Sequence, residues 1–592
     1  MTNQPITTLL YRLWHHVSSR RRAQFGLLMV LMFLTSFAEV ISIGAVLPFL
    51  GVLTSPERIF ANAALQPFIY ALGLNTPEEL LLPLTIAFGT ATLIAGAMRL
   101  LLLWASTRLS YAAGAELNIR VYRRTLYQPY AVHCARNSSE VINGILSKTE
   151  TAIGAFNQVI ILISSGVMLA FILLALLAVE PSVALAAFGG FGLIYAVIIK
   201  LTNKQLFANS QLLARESAKV IKALQEGLGG IRDVLIDGSQ ATYCQIYRNA
   251  DLPMRRASGN NLFISTSPRY VMEALGMLLI SALAYSLAQQ ADGIAKAIPI
   301  LGALALGAQR MLPVLQQAYV AWSNIRAGQA SLQDTLELLD QPLPDYANQP
   351  IAKPMPFKHT ISLKQLGFCY TPQAPYVLKK IELTIAKGSR VGFIGATGSG
   401  KSTLLDIVMG LQQPTDGGME VDGQVVTSAN NRAWQAHIAH VPQTIFLADS
   451  SIEENIAFGV PKDQIDLQRV KMAAQQAQIA DTIEKWPNQY QTFVGERGIR
   501  LSGGQRQRIG IARALYKQAD VIIFDEATSA LDNETEQAVM QAIEGLSTDL
   551  TLLIIAHRLT TLRNCTQIVE LGDSGIKRIG SYKDIVNQAA TA

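Results

Sequence analysis

Residues 391–403 read VGFIGATGSGKST, and this stretch decides the fold of the second half of the chain. An apolar run typical of a buried strand leads into Gly395-Ala-Thr-Gly-Ser-Gly-Lys-Ser402, which is a complete P-loop pattern. Glycines suit this loop because backbone N–H groups must approach phosphate oxygens without side chains between them. Lys401 supplies a positive charge to the β- and γ-phosphates, and Ser402 offers a hydroxyl to Mg²⁺. The motif predicts a nucleoside triphosphate site in a domain with a parallel sheet.

A second apolar strand ends in two acids about 120 residues later, where residues 521–526 read VIIFDE. Asp525 at the end of this strand can hold Mg²⁺, and Glu526 can orient or deprotonate the attacking water. Apolar strands often end in acids, so this pattern is weak by itself. After a P-loop it predicts that ATP is hydrolysed with Mg²⁺ as the cofactor.

The segment Leu501-Ser502-Gly503-Gly504-Gln505 lies between these two motifs. With it, residues 358–592 resemble the ATP-binding cassette (ABC) ATPases, whose signature is LSGGQ. Further segments match motifs of that family: Phe368-Cys369-Tyr370 the aromatic loop, Val441-Pro442-Gln443 the Q-loop, Val494-Gly495-Glu496-Arg497-Gly498 a loop of export-type members, Ser529-Ala530-Leu531-Asp532 the D-loop, and Ala556-His557-Arg558 the switch histidine.

The resemblance implies a role for each matching residue. The expected catalytic residues are Glu526, His557, Gln443 and Lys401, and the expected Mg²⁺ ligands are Ser402, Gln443 and Asp525. Tyr370 is expected to stack on adenine, and His557 to contact the γ-phosphate. The remaining ATP contacts are expected from Gly395, Ala396, Thr397, Gly398, Ser399, Gly400, Lys401, Ser402 and Thr403, and from Ser502, Gly503, Gly504 and Gln505 of the signature.

The signature also has a physical interpretation. Ser502, Gly503 and Gly504 offer a hydroxyl and backbone N–H groups at a helix N-terminus, which is a second anion site. The family places this site on the γ-phosphate held by the opposite subunit. One P-loop and one signature per chain therefore predict a homodimer with two equivalent ATP sites.

The first half of the chain is predicted to cross a membrane. Mean hydropathy is +0.27, and only 16% of the residues are charged, against about 25% in soluble domains. A span needs about 20 mostly apolar residues. Six such runs occur, at about 24–53, 81–107, 152–179, 183–202, 270–289 and 297–325.

Basic residues predict the orientation of these spans. Lys and Arg concentrate before the first span and in the loops 108–151 and 203–267, whereas the other three loops carry few. Because such an excess marks the cytoplasmic side, the N-terminus and the ATPase domain are expected in the cytoplasm. The basic residues behind the net charge of +6 are thus explained by their position in loops next to the spans. No nucleic-acid partner is expected. A bacterial inner membrane is the expected location.

The predicted fold class is a multidomain chain, with an all-α transmembrane domain of six helices followed by an α/β P-loop NTPase domain. The predicted organisation is a cytoplasmic segment at 1–22, the transmembrane domain at 23–330, a linker at 331–357 and the ATPase domain at 358–592. The resemblance to export-type ABC transporters implies a short coupling helix at the tip of each long cytoplasmic loop, near Asn137-Ser-Ser-Glu140 with a serine N-cap and near Gly227–Asp233; plain turns of helical hairpins are the alternative.

Ionisable residues within the spans are candidates for substrate contact, because charges in a bilayer are costly. They are Glu39, Arg99, Arg269 and Arg310, with Glu273 close by. More arginines than acids predict a cavity that accepts an anionic group, since Arg binds phosphate in a bidentate manner. The alternative is structural: Glu39 pairs with an arginine, and Arg99 and Arg269 only mark helix ends.

The membrane half resembles the bacterial flippases of lipid-linked oligosaccharides, through residues 37–49 (FAEVISIGAVLPF) and Tyr127-Gln-Pro-Tyr130 with His133 and Asn137-Ser-Ser-Glu140. This resemblance implies transport of a polyprenyl-pyrophosphate glycan, the pyrophosphate lying among the arginines. An exporter of drugs or of lipids such as lipid A or phospholipids is the first alternative, and a peptide or protein secretion exporter is the second. In all of these an amphipathic substrate and the bilayer are the partners.

Overall fold

The computed structural model describes residues 4–589 except 55, 62–65, 72, 180, 289–292, 351, 527–536, 538–540, 542, 544, 546 and 557–558. The chain divides into two compact units. The first comprises Met1–Gln128 and His133–Leu343, and the second Pro129–Val132 and Pro344–Ala592.

The described chain before residue 344 is helical. Its helices are α1 (Ile6–His16), α2 (Ser19–Thr54), α3 (Pro56–Phe60), α4 (Gln66–Ala71), α5 (Leu81–Leu126), α6 (Tyr130–Ala135), α7 (Ser138–Asn143), α8 (Thr149–Val179), α9 (Pro181–Gly229), α10 (Ile231–Ile236), α11 (Gln240–Ala288), α12 (Gly293–Ala327) and α13 (Gln329–Leu339).

Each predicted span overlaps one of the six longest of these helices, namely α2, α5, α8, α9, α11 and α12. Within the described residues, Ser19–Ser42, Pro77–Leu126 and Ser138–Leu177 are apolar and long enough to cross a membrane. The count of six spans stays a prediction. Helices α9 and α11 have 49 residues each, which at about 1.5 Å per residue exceeds the ~30 Å of hydrocarbon in a bilayer.

The N-terminal helix α1 is part of the core of the first unit. Leu9 and Leu13 recur every fourth residue on one face and are fully buried, where they pack with α2, α5, α8 and α13. His16 Nε2 lies 2.8 Å from Asp340 Oδ1, and Arg12 also pairs with Asp340. The helix is therefore held by apolar packing on one face and by polar contacts with Asp340 at its edge.

The predicted linker at 331–357 is wrong in its first part. Residues 331–339 continue α13, and Leu332, Leu336 and Leu339 are fully buried in the first unit. Their spacing of three and four residues makes one apolar helical face, and burying this face stabilises the helix. The prediction placed a linker here because of the Pro-rich segment that begins at Asp340, and it did not use the apolar spacing of residues 332–339.

The end of the predicted linker also belongs to a folded core. Met355 and Phe357 are buried with the strands of the second unit, and the Phe357 ring contacts Trp434 edge-on with centroids 5.7 Å apart. The division between the units therefore follows Leu343.

Short helices occur at both predicted loop tips, α7 at the first and α10 at the second. The N-cap of α7 is Asn137, whose side chain accepts from the Ser139 backbone N–H at 3.0 Å. The predicted serine N-cap is therefore corrected by one residue. Asparagine and serine cap equally well because both place a side-chain oxygen over the orphan N–H groups.

The second unit contains two sheets. Its strands are β1 (Thr360–Phe368), β2 (Leu378–Ala386), β3 (Arg390–Ile394), β4 (Asp416–Val421), β5 (Gln424–Val425), β6 (Ile438–Val441), β7 (Val521–Asp525), β8 (Thr551–Ile555), β9 (Gln567–Gly572) and β10 (Gly575–Gly580). The smaller sheet is antiparallel, in the order β2-β1-β4-β5, and the larger has the order β10-β9-β3-β8-β7-β6. In the larger sheet all neighbours pair in parallel except β10 and β9.

Helices cover the larger sheet. They are α14 (Lys401–Val408), α15 (Asn431–Gln435), α16 (Ile452–Ile456), α17 (Leu467–Gln476), α18 (Ala480–Glu484), α19 (Gly503–Tyr516) and α20 (Tyr582–Ala589). One apolar core joins both sheets with α14, and another joins β6 and β7 with α16, α17 and α19. Strand β7 is buried over residues 521–524, as expected of a parallel strand covered on both faces.

Candidate functional site

The P-loop connects β3 to α14. Gly395 has φ +145°, and a Cβ placed there would lie 2.3 Å from the carbonyl oxygen of Leu571. Gly400, with φ +93°, is the N-cap of α14. A larger residue at either glycine would be strained, so the loop stays close to the backbone and directs N–H groups at the start of the helix.

Lys401 lies across this loop. Its Nζ donates to the carbonyl oxygens of Gly395 at 2.8 Å and Ala396 at 3.0 Å. Within the described chain the buried Oγ of Ser399 has no hydrogen-bond partner. The side of the loop away from the core is open, and the exposed residues there are Ala396, Thr397, Gly398 and Ser402. A phosphate chain would meet a cation, free hydroxyls and N–H groups on this side.

The predicted adenine platform lies beside the same loop. Tyr370 is 60% exposed, and its hydroxyl is 2.9 Å from Oγ1 of Thr403 on α14. Its ring contacts Phe368 edge-on, with centroids 5.0 Å apart. One face of the tyrosine ring is thus held near the P-loop with room for a planar base.

The two acids lie at the end of β7, where Glu526 directly follows the last strand residue. Gln443 Nε2 donates to Glu526 Oε2 at 2.8 Å, which brings together two residues that are 83 positions apart in the sequence. Asp525 occupies the last position of β7. Two further predictions, the D-loop Ser529–Asp532 and the catalytic residue His557, lie outside the described residues.

Asp406 on α14 is a site residue that the sequence analysis missed. Burial, and then the negative charge of Asp525, raise the pKa of its carboxyl to about 6. The sequence contained one signal for it, because Asp406 interrupts the apolar run 404–409. In the fold its neighbours Leu404, Leu405 and Ile407 are buried. Asp406 and Asp525 are therefore close enough for their carboxylates to repel each other, and a divalent cation bound there would relieve this repulsion.

The signature is at the start of α19. Ser502 is its N-cap: Ser502 Oγ accepts from the Gln505 backbone N–H at 3.2 Å, and Gln505 Oε1 accepts from the Ser502 N–H at 2.9 Å. Ser502 and Gly503 are exposed, whereas Gly504 is buried. Across the described residues no hydrogen bond or ion pair joins this helix end to the P-loop of the same chain.

A cavity with a mixed lining, which we call the polar cavity after the polar side chains that include Arg99, lies among the helices of the first unit. Its volume is about 420 Å³, and it lies between α2, α5, α8 and α12. Half of its lining residues are polar, among them Thr35, Ser36, Arg99, Ser164, Ser165 and Gln317, and the other half are apolar, among them Met32, Leu103 and Ile160. Arg99 forms an ion pair with Glu39, whose side chain is only 2% exposed, while 49% of the Arg99 side chain is accessible. The expected pairing of Glu39 with an arginine thus occurs, and Arg99 still faces the cavity.

Arg269 is not among the residues that line this cavity. Arg269 Nε contacts Glu273 Oε1 at 2.8 Å along α11, and both side chains are at least half exposed. This is an ordinary pair between residues four apart in a helix. The side chain of Arg310 lies outside the described part of the chain.

Comparison with known proteins decides the family. Residues 378–529 match the family described as ABC transporter, and residues 25–293 match the ABC transporter transmembrane region. An "ATP-dependent lipid A-core flippase" of Saccharophagus degradans is 30% identical over 485 residues, which cover 80% of each chain. The chain belongs to the ABC transporter family.

Other ABC transporters resemble this chain over nearly all of its length. The "Heterocyst differentiation ATP-binding protein HepA" of Nostoc sp. is 28% identical over 575 residues, covering 95% of this chain and 91% of that protein. The solved structure of a bacterial Atm1-family ABC exporter with ATP bound superposes with a TM-score of 0.72 at 23% identity, covering 92% of this chain and 96% of that one.

This ABC transporter is thus an exporter in which a helical membrane region is fused to an ATPase domain that binds ATP. Hydrolysis of ATP by that domain is coupled to transport. The similarity to the Atm1-family exporter shows the fold alone, because one fold can carry different binding sites.

Proposed function

We propose that this ABC exporter works as a homodimer that moves a lipid with an anionic, phosphorylated glycan headgroup across the bacterial inner membrane. The observation that carries this proposal is the accessible Arg99 on the wall of the polar cavity, paired with the buried Glu39. A charge held in a membrane helix is costly, on the order of 3 kcal/mol at the bilayer centre, so it is usually functional.

The chemistry of the cavity favours a phosphorylated glycan. Serine, threonine and glutamine side chains around Arg99 supply both donors and acceptors, which sugar hydroxyls need, and the guanidinium supplies the bidentate contact that a phosphate needs. A cavity for hydrophobic cations would instead require aromatic or acidic walls. This reasoning favours lipid export over drug export.

A lipid A-core type glycolipid is the first candidate substrate. Similarity to proteins named lipid A-core flippases supports it, as with the relatives from Saccharophagus degradans and Alkalilimnicola ehrlichii, each 30% identical. A polyprenyl-pyrophosphate glycan is the second candidate, supported by residues 37–49 and 127–130 of the membrane half. Both carry phosphate next to sugar, so both fit the same cavity.

The homodimer is supported by the geometry of the ATPase domain. The exposed end of α19 at Ser502 and the open side of the P-loop each offer half of an anion site. An ATP molecule held by Lys401 of one chain would meet Ser502 and Gly503 of the other, and two such contacts close a twofold dimer. Loss of the γ-phosphate removes this bridge and opens the dimer.

Within each site we assign catalysis to the residues near the end of β7. Glu526 accepts the proton of the attacking water, and Gln443, already bonded to Glu526, orients that water. Asp525, Ser402 and Gln443 would hold Mg²⁺, which neutralises charge on the phosphates when bound. The repulsion between the carboxylates of Asp406 and Asp525 supports a cation there.

The test uses purified protein in liposomes. ATPase stimulation and lipid flipping are measured with a lipid A-core glycolipid, a polyprenyl-pyrophosphate glycan, a phospholipid and a hydrophobic cation. We expect stimulation by at least one of the phosphorylated glycolipids and none by the cation. Stimulation by the cation alone would refute the proposed substrate class.

The role of Arg99 is tested with matched variants. Arg99→Gln leaves Glu39 without its arginine, so the double variant Glu39→Gln/Arg99→Gln, which removes both charges, separates misfolding from lost recognition. We expect the double variant to keep basal ATPase and lose glycolipid stimulation. Arg269→Gln, at an exposed pair outside the cavity, serves as the control and should keep both.

A further inference from the structure

A second cavity in the first unit lies at the predicted cytoplasmic end of the spans. It occupies about 730 Å³ between α2 and α5, and it shares no lining residue with the polar cavity. Its lining is divided by chemistry. Arg21, Gln24 and Arg108 are polar, whereas Leu27, Leu31 and Trp104 are apolar. We call it the α2–α5 groove.

The polar part of the groove lies at the predicted surface of the membrane, and the apolar part lies at the predicted level of the hydrocarbon. Arg21 precedes an α2 segment in which Glu39 is the first charged residue after Arg22, and Arg108 follows an α5 segment in which Arg99 is the preceding charge. These arginines therefore mark the level where hydrocarbon meets water. Trp104 and Tyr111, both among the lining residues, are the residue types enriched at that level.

The apolar side chains of the groove are open to the surroundings. Leu27 is 71% exposed, Trp104 61% and Tyr111 60%. Because α2 and α5 are membrane helices of an ABC exporter, Leu27 and Trp104 on the membrane side of the two arginines meet acyl chains, whereas Tyr111 lies beyond Arg108 on the water side. The apolar end of the groove can therefore bind hydrocarbon, and its arginine end can bind an anion.

The two arginines differ in what they offer to an anion. Arg21 Nε contacts Glu116 Oε1 at 2.8 Å, so its charge is already balanced. Arg108 is exposed and lies over the Trp104 ring, 6.0 Å from its centroid, and it forms no ion pair with any described residue. One unbalanced cation therefore remains at the groove mouth, held in place by an aromatic ring.

We propose that the α2–α5 groove binds one anionic glycerophospholipid of the bilayer per protomer as a resident lipid. The phosphate lies at Arg108, the glycerol backbone lies beside Trp104, and an acyl chain follows Leu27 and Leu31. Charge complementarity selects this occupant: a zwitterionic lipid brings its own cation, which would oppose Arg108. This site is separate from the transported substrate and does not depend on the proposed function.

The experiment counts bound lipids on the full-length protein. Protein is equilibrated in nanodiscs that contain phosphatidylcholine and phosphatidylglycerol in equal amounts, released into mild detergent, and analysed by native mass spectrometry. We expect retained phosphatidylglycerol in wild type, and about fivefold less retention in Arg108→Gln, the factor expected for one basic residue near a membrane surface. Trp104→Ala should reduce retention as well, whereas Arg108→Lys should keep part of it.

Lys200→Gln is the matched control, since Lys200 is exposed near the end of the fourth predicted span and does not line the groove. It should retain phosphatidylglycerol as wild type does. An equal loss of phosphatidylglycerol in Lys200→Gln and Arg108→Gln would overturn the proposed site. It would mean that any basic residue near the membrane surface attracts the anionic lipid. Equal retention of phosphatidylcholine and phosphatidylglycerol by wild type would overturn its charge selectivity.

If a variant is less stable than wild type, a measurement of thermal unfolding still tests the site. The unfolding temperature is recorded in phosphatidylcholine alone and then with increasing phosphatidylglycerol. Wild type should gain stability with phosphatidylglycerol because the lipid binds the folded state, and Arg108→Gln should gain less from the same starting lipid. Identical gains in both proteins would contradict the proposal.

Discussion

Gln443 and Glu526 meet because of strand register. Strands β6 and β7 are parallel neighbours, and Val441 pairs with Phe524. Each of the two polar residues follows its paired strand residue by two positions, so both emerge at the same edge of the sheet, and the hydrogen bond between them is 2.8 Å long. Glu526 has a left-handed backbone with φ +51°. Such a conformation costs about 1 kcal/mol or more in a residue other than glycine and is frequent at active sites.

Replacing the proposed base should stop hydrolysis without stopping ATP binding. Glu526→Gln keeps an oxygen that can accept from Gln443 but cannot take a proton, so we expect the ATPase rate to fall at least about 100-fold. Because the γ-phosphate bridge then persists, ATP should hold the protein in a closed dimer. ATPase assays and crosslinking of the two ATPase domains measure these effects. Glu484→Gln, an exposed acid on α18, is the control, and fast turnover in Glu526→Gln would contradict the assigned role.

The signature can be separated from simple helix capping by a matched pair of variants. Ser502 and Ser451 are both N-caps with capping boxes, on α19 and α16. Each serine-to-alanine change should cost about 1 kcal/mol of stability by loss of the cap. Only Ser502→Ala should also lower the ATPase rate, by about 10- to 100-fold, if its hydroxyl contacts the γ-phosphate. Equal ATPase losses in the two variants would reduce Ser502 to a capping role.

Tyr370 should determine the apparent affinity for ATP and leave the maximal rate nearly unchanged. Loss of a base–aromatic stack costs about 1–3 kcal/mol, so Tyr370→Ala should raise the KM for ATP by about 5- to 150-fold. Tyr370→Trp keeps a flat ring and should stay near wild type. Steady-state ATPase kinetics check both variants, and an unchanged KM in Tyr370→Ala would place adenine elsewhere.

Asp406 predicts a pH dependence of stability. Its folded pKa of about 6 lies above the ordinary value of 3.8, so the charged carboxylate is disfavoured in the fold. The penalty is absent below pH 3.8, grows up to about pH 6 and is complete above it. Asp406→Asn should therefore stabilise the Mg²⁺-free protein at pH 8, by up to about 3 kcal/mol, and much less at pH 4.

Thermal unfolding of the detergent-solubilised protein at both pH values measures this difference. Asp463→Asn, an exposed acid in the same domain, controls for a change in net charge. A stabilisation of the same size at pH 4 and pH 8 would mean that the Asp406 carboxyl is not the group that titrates.

The amino-acid sequence alone was enough to identify the ATPase domain and the candidate residues of the nucleotide site. This worked because phosphate binding depends on backbone shape, which requires glycines at set positions, and because buried parallel strands are continuous apolar runs. The long apolar runs of the first half likewise predicted membrane helices, since a bilayer imposes a minimum length on them.

Contacts between distant residues were decided only by the tertiary structure. The pairing of Arg99 with Glu39, the field that Asp525 imposes on Asp406, and the assignment of α13 to the first unit each depend on which helix faces which strand or helix. Periodicity in a sequence specifies the apolar face of an element but not the partner that covers it. That partner is chosen by packing over the whole unit, and for this reason the polar cavity and the α2–α5 groove became visible only in the folded chain.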